Sequence, residues 1–186
     1  MKCCQITMEN IHVEDAMHQI DALEWLEPKK RNCLRLLTEE MFSMMNNVLR
    51  NREASFELIR EDNTYSLELA ANVRMTEDDK QTFLSLSSSG KNNAYRGIMG
   101  KITAMLDSFA APESDRYIVE GFEHPSIGYV DYSYVWSMSN YMDSDAAKND
   151  DANWDGMEKS IIANFSDDVI IGVRNNSLDM IVKKTF

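Results

Sequence analysis

Leu34, Leu37, Met41, Met44 and Val48 follow one another at steps of three, four, three and four residues. On an α-helix that spacing draws one continuous apolar stripe. The pattern predicts a long helix from Pro28 to about Arg50, and Pro28 suits its first turn, where a missing N–H costs nothing. A stripe of this length needs a surface to lie against. Two strands follow at once, Ala54–Arg60 and Thr64–Ala71, with Phe56 and Leu58 alternating in the first and Leu67, Leu69 and Ala71 in the second. Asp62-Asn63 between them is a tight-turn pair. An amphipathic helix leading into a hairpin with one apolar face predicts helices packed on a sheet.

The flanking sequence extends this plan. Cys4, Ile6 and Met8 alternate with polar neighbours, which predicts a strand over Cys3–Met8. Val13, Met17, Ile20 and Leu23 recur at helical spacing, with Glu14 and Asp15 in the first turn where negative charge is favoured. A helix over Val13–Leu26 is expected. Met75–Leu86 and Ala94–Phe109 also read as amphipathic, the latter through Ile98, Ile102, Met105 and Phe109. Gly128–Met138 alternates like strand, and Asp155–Phe165 reads as a helix. Asp168–Val173 and Leu178–Lys184 flank a turn at Asn175-Asn176. The fold class predicted is α+β: a two-layer sandwich with helices on one face of a mixed or antiparallel sheet. No linker rich in Pro or Gly divides the chain, so residues 1–186 form one domain, with an aromatic, acidic insert at about 112–155.

Charge narrows the partners. The net charge is −12, and residues 107–168 hold 14 Asp and Glu against Arg116, Lys148 and Lys159. Direct nucleic-acid binding is disfavoured, because it rests on neutralising phosphates. The acidic segment suits a basic protein partner. Tyr117, Phe122, Tyr129, Tyr132, Tyr134, Trp136 and Tyr141 crowd the same region and are either interface anchors or part of the core. No apolar run approaches the roughly 18 residues of a membrane span. The N-terminal residues lack the apolar core of a signal peptide, so the expected compartment is the cytoplasm. Cys3, Cys4 and Cys33 match no zinc spacing, and His12, His18 and His124 are scattered.

One loop carries chemistry. Ser87-Ser88-Ser89-Gly90-Lys91-Asn92-Asn93 runs into a helix start that includes Gly97 and Gly100. Backbone N–H groups and the positive end of a helix dipole favour an anion there, and Lys91 adds charge. It is not a P-loop, because the first glycine is missing and Asn92 stands where Ser or Thr would hold Mg²⁺.

The element order, with a polar-bearing second helix and a glycine loop ahead of a later helix, resembles the Bergerat-fold (GHKL, histidine-kinase-like) ATPases. Among these the chain looks most like the stand-alone anti-sigma-factor serine kinases, over about residues 1–110 and 157–186. The resemblance implies ATP or ADP with Mg²⁺ bound between the long helix and the glycine loop. It implies Glu39 as general base or water-orienting group, and Asn46 or Asn47 as the Mg²⁺ ligand. Ser43, Asn46, Asn47, Asn72, Gly90, Lys91, Asn92, Gly97 and Gly100 would line the nucleotide. The motifs depart from the family's in two places. Ser43 stands one turn after Glu39 where the family has Asn, and Leu69-Ala70-Ala71-Asn72-Val73-Arg74-Met75 lacks the Asp and glycines that hold adenine. The expected function is a regulatory domain with weak or vestigial nucleotide binding and little or no kinase or ATPase turnover. The alternative is a protein-interaction module that keeps the fold and binds no nucleotide.

Overall fold

A computed structural model describes residues 2–9, 12–49, 54–72, 119–125, 128–132, 134–143, 161–174 and 177–186. The predicted helices over 75–86 and 94–109, the Ser-rich loop and the Asn175-Asn176 turn lie outside these residues. Eight strands are described: β1 (Lys2–Glu9), β2 (Ala54–Glu61), β3 (Thr64–Asn72), β4 (Val119–His124), β5 (Gly128–Tyr132), β6 (Tyr134–Ser137), β7 (Asp168–Arg174) and β8 (Ser177–Thr185). With them stand helices α1 (Val13–Asp21), α2 (Pro28–Leu49), α3 (Met138–Asp143) and α4 (Ile161–Phe165).

Six strands form one sheet in the order β1-β2-β3-β8-β7-β6, and every ladder in it is antiparallel. The last hairpin, β7–β8, docks beside β3, so the C-terminal strand lies in the middle of the sheet and β1 at its edge. Register sets the faces: Phe56 sits opposite Leu69 and Leu58 opposite Leu67, while Leu67 faces Val182 and Leu69 faces Met180 on β8. These residues, with Val169, Ile171 and Val173 of β7, form one core with Ala16 and Ile20 of α1, Ile162 of α4, and Leu34, Leu37, Met41, Met44 and Met45 of α2. Leu34, Leu37, Met41 and Met44 of the stripe read from the sequence are buried. The protein is an α+β fold with helices against one sheet face.

The opposite face is covered as well. Ile59, Ser66, Glu68, Ile170, Asp179 and Ile181 are all buried on it, more than a two-layer arrangement requires. Asp179 accepts a hydrogen bond from Ser177 Oγ at 2.7 Å. Hairpin β4–β5 lies against β7 through β5.

Two local details differ from the sequence reading, and a third, the Asp62-Asn63 turn, stands where it is expected. Helix α1 ends at Asp21 rather than Leu26, and Leu23 and Leu26 are buried from a connection held by Leu23 N–Ile20 O and Leu26 N–Leu23 O bonds of 3.1 and 3.0 Å. Apolar spacing of three cannot tell a tight turn from a helix. The β2–β3 turn places Asp62 at φ 53°, a left-handed conformation open to Asp. The stretch 128–138 divides: β5 pairs with β4, whereas β6 joins the main sheet and buries Trp136 in the core.

One pole is fastened by aromatic and cationic contacts. The Arg60 guanidinium lies 5.0 Å from the Trp25 ring centre and 5.6 Å from that of Tyr65. The Tyr65 and Phe186 rings meet edge-on at 5.4 Å, and Lys30 Nζ lies 5.6 Å from the Phe186 ring. These contacts tie the α1–α2 connection to the β2–β3 turn and to the end of β8. No described helix is long and apolar enough to cross a membrane.

Candidate functional site

Helix α2 carries the polar residues that the sequence singles out. Its buried stripe fixes the phase of everything else: Asn32, Leu36, Glu39 and Ser43 form the exposed ridge. Glu39 and Ser43 therefore stand one turn apart on one side, as their spacing requires. Asn46 and Asn47 continue the same helix by a further turn, and Asn72 is the last residue of β3. Gly90, Lys91, Asn92, Gly97 and Gly100 lie outside the described residues.

Glu40 is the residue that the sequence reading passed over. It is half-buried, and burial, followed by the charge of Glu39, raises its carboxyl above the ordinary value. A carboxylate poised in this way suits general-base work better than an exposed one. The signal was present in the helix phase, since Glu40 borders the Met41 stripe while Glu39 faces away from it.

A groove of about 330 Å³ opens on the other flank of α2, against α1. Val13 and Met17 of α1 supply its apolar part, and His18 stands beside them. Arg35 Nη1 is 2.9 Å from Asp21 Oδ1 across the helix pair. Glu14 and Glu39 line the groove too, and neither has a cationic partner among the described residues. At the start of α1, His12 N–H donates to Asp15 Oδ2 at 3.3 Å.

Two other polar clusters are structural. Asp168 accepts from Ser139 N–H at 2.9 Å and from Ser137 Oγ at 3.2 Å, closing the start of α3 from a neighbouring strand. Ser137 and Ser139 lie 2.9 Å apart through their hydroxyls. Carboxylate and hydroxyls here make a cap, with no histidine to activate a nucleophile. Burial pushes the Cys33 thiol up, against the pull of the Lys184 ammonium, and a protonated thiol is a poor nucleophile. Among the described residues no group of three or more His, Cys, Asp or Glu is placed to hold a metal ion.

Trp136 completes the core, whereas Tyr129 on β5 is 75% exposed.

No known protein-family model matches the sequence, and no curated protein matches it significantly.

Proposed function

We propose that the protein is a regulatory domain of the Bergerat ATPase type, similar to the anti-sigma-factor serine kinases, with weak or vestigial binding of an adenine nucleotide. One observation carries this reading. The described elements run β1-α1-α2-β2-β3, then β4-β5-β6-α3 in the region of the insert, then α4-β7-β8, with the final hairpin beside β3 and the helices against one sheet face. Apart from the insert, that is the part of the expected order that falls on described residues.

Oxygen donors suit Mg²⁺, and α2 offers Glu39 and Ser43 on its ridge with Asn46 and Asn47 one turn on. Asn46 or Asn47 would hold the metal, which neutralises phosphate charge when bound. Glu39 orients water or accepts its proton, and the half-buried Glu40 beside it is a second carboxylate able to do so. Asn72 would hydrogen-bond the base less specifically than a carboxylate. Gly90, Lys91, Asn92, Gly97 and Gly100 would supply backbone N–H groups and charge to the phosphates. Loss of the family's Asn and Asp weakens both ends of the ligand, so binding without appreciable turnover is expected.

Isothermal titration with Mg-ATP and Mg-ADP tests the proposal, alongside thermal shift. Heat of binding at submillimolar to millimolar nucleotide supports it. No heat and no shift at millimolar nucleotide discards it, leaving the protein-interaction module with a basic partner. The exposed Tyr129 and the acidic groove favour that second reading, and it implies a cytoplasmic binding protein rather than an enzyme.

A further inference from the structure

The groove between α1 and α2 combines two properties that call for a particular visitor. Val13 and Met17 give it an apolar lining, while Glu14 and Glu39 leave two carboxylates at its walls after Arg35 has neutralised Asp21. An apolar surface edged by unpaired carboxylates matches a Lys or Arg side chain, whose aliphatic stem covers apolar surface while its head meets the charge. Next to the groove, Leu36 on the α2 ridge is 42% exposed, which extends the apolar surface beyond what one side chain covers. We propose that this groove docks a basic, amphipathic segment of a protein partner, with a Lys or Arg laid along Val13 and Met17 toward Glu14 and Glu39 and an apolar neighbour on Leu36. It rests on the partner-binding side of the proposed function, and because Glu39 is shared with the nucleotide reading its test is run without nucleotide. The groove is small and open, so a lone amine gains too little there to offset its lost freedom. A segment that adds contacts along both helices does better.

The test uses the full chain and a fluorescein-labelled helical peptide of Leu and Lys, about four turns long, with a Leu/Glu peptide of the same pattern as control. Anisotropy titrations are read from about 0.05 to about 0.5 M salt, a range over which exposed charge pairs become screened. Because the chain carries −12 overall, charge alone will attract the Lys peptide, and position has to be separated from net charge. Glu14→Lys in the groove and Glu61→Lys at the exposed end of β2 change net charge equally. Glu14→Lys is expected to raise the peptide Kd by about fivefold or more and Glu61→Lys by less than about twofold, reflecting the local nature of charge complementarity. Met17→Ser is expected to weaken binding without altering its salt dependence. Circular dichroism and melting confirm that each variant is folded, which their exposed or half-exposed sites favour. Equal losses from the two Lys variants, equal binding of the Leu/Glu peptide, or no binding of the Lys peptide would each overturn the proposal. None of these results depends on whether Mg-ATP binds.

Discussion

Thr38 offers a quantitative check on the core. It lies on the buried side of α2 among Leu34, Leu37, Met41 and Met45, is 0% exposed, and its Oγ1 has no hydrogen-bond partner. A buried hydroxyl without a partner costs roughly 1–3 kcal/mol by mutational comparison. Valine has nearly the same shape and the same β-branching, so rotamer and helix-propensity effects nearly cancel. Thr38→Val is therefore expected to stabilise the protein by about 1 kcal/mol or somewhat more, raising Tm by about 2–4 °C per kcal/mol for a chain of this size. In urea the midpoint should rise with an unchanged slope, since the surface exposed on unfolding is the same. Thr38→Ser keeps the hydroxyl and deletes a buried methyl, so it should cost about 1 kcal/mol. The order Val above Thr above Ser is the signature. If Val proves less stable than Thr by about 1 kcal/mol, the hydroxyl bonds a carbonyl one turn back, and its reading as an orphan is wrong.

Asp62 at φ 53° predicts opposite outcomes for two small residues: Asp62→Ala should cost about 1 kcal/mol and Asp62→Gly should be neutral or better, measured by urea unfolding. Burial alone would raise the Asp167 carboxyl, but the Lys184 ammonium at 2.9 Å and the Thr185 N–H hold it below its ordinary 3.8. Its contribution is therefore present above 3.8 and lost as pH falls through the folded value. Because the Asp167 side chain is 43% exposed, Asp167→Asn should cost no more than about 1 kcal/mol at neutral pH, and the gap to wild type should close in acid melts. Asp168→Ala removes the acceptor for Ser139 N–H and Ser137 Oγ and should cost about 1–2 kcal/mol by the same assay.

The hairpin of β2 and β3 was legible to within a residue or two at its ends because alternation and the Asp62-Asn63 turn are local signals. Helix α2 was legible because its stripe is long. What failed was non-local. Alternation over 128–138 announces strands but cannot say that β6 alone would cross to β7 and bring Trp136 into the main core. Nor does alternation reveal a second covered face. Glu68 and Asp179 alternate with apolar neighbours as solvent-facing residues do, yet both are buried, so a carboxyl group in an alternating run does not by itself mark the wet side.

The site depends on helix phase, and there the sequence held more than was taken from it. Glu39 and Glu40 are adjacent, but a helix turns about 100° per residue, so the two cannot share an environment. Glu39 falls on the exposed ridge, while Glu40 borders the stripe. Burial first, and the Glu39 charge second, lift the Glu40 carboxyl above its ordinary 4.5. A group that holds its proton more tightly when folded lowers stability as pH rises from about 4.5 through the folded value, and the deficit persists above it. Glutamine cannot ionise. Glu40→Gln should thus melt higher than wild type at neutral pH, with the difference vanishing in acid, whereas exposed Glu39→Gln should stay within about 0.5 kcal/mol throughout. If the proposed nucleotide site uses Glu40, the stabilised variant is also the one whose Mg-ATP affinity changes, the trade expected where a strained charge is kept for function. A Glu40→Gln protein that is less stable at neutral pH would show that the carboxylate is well served where it sits, and its claim to a chemical role would go with it.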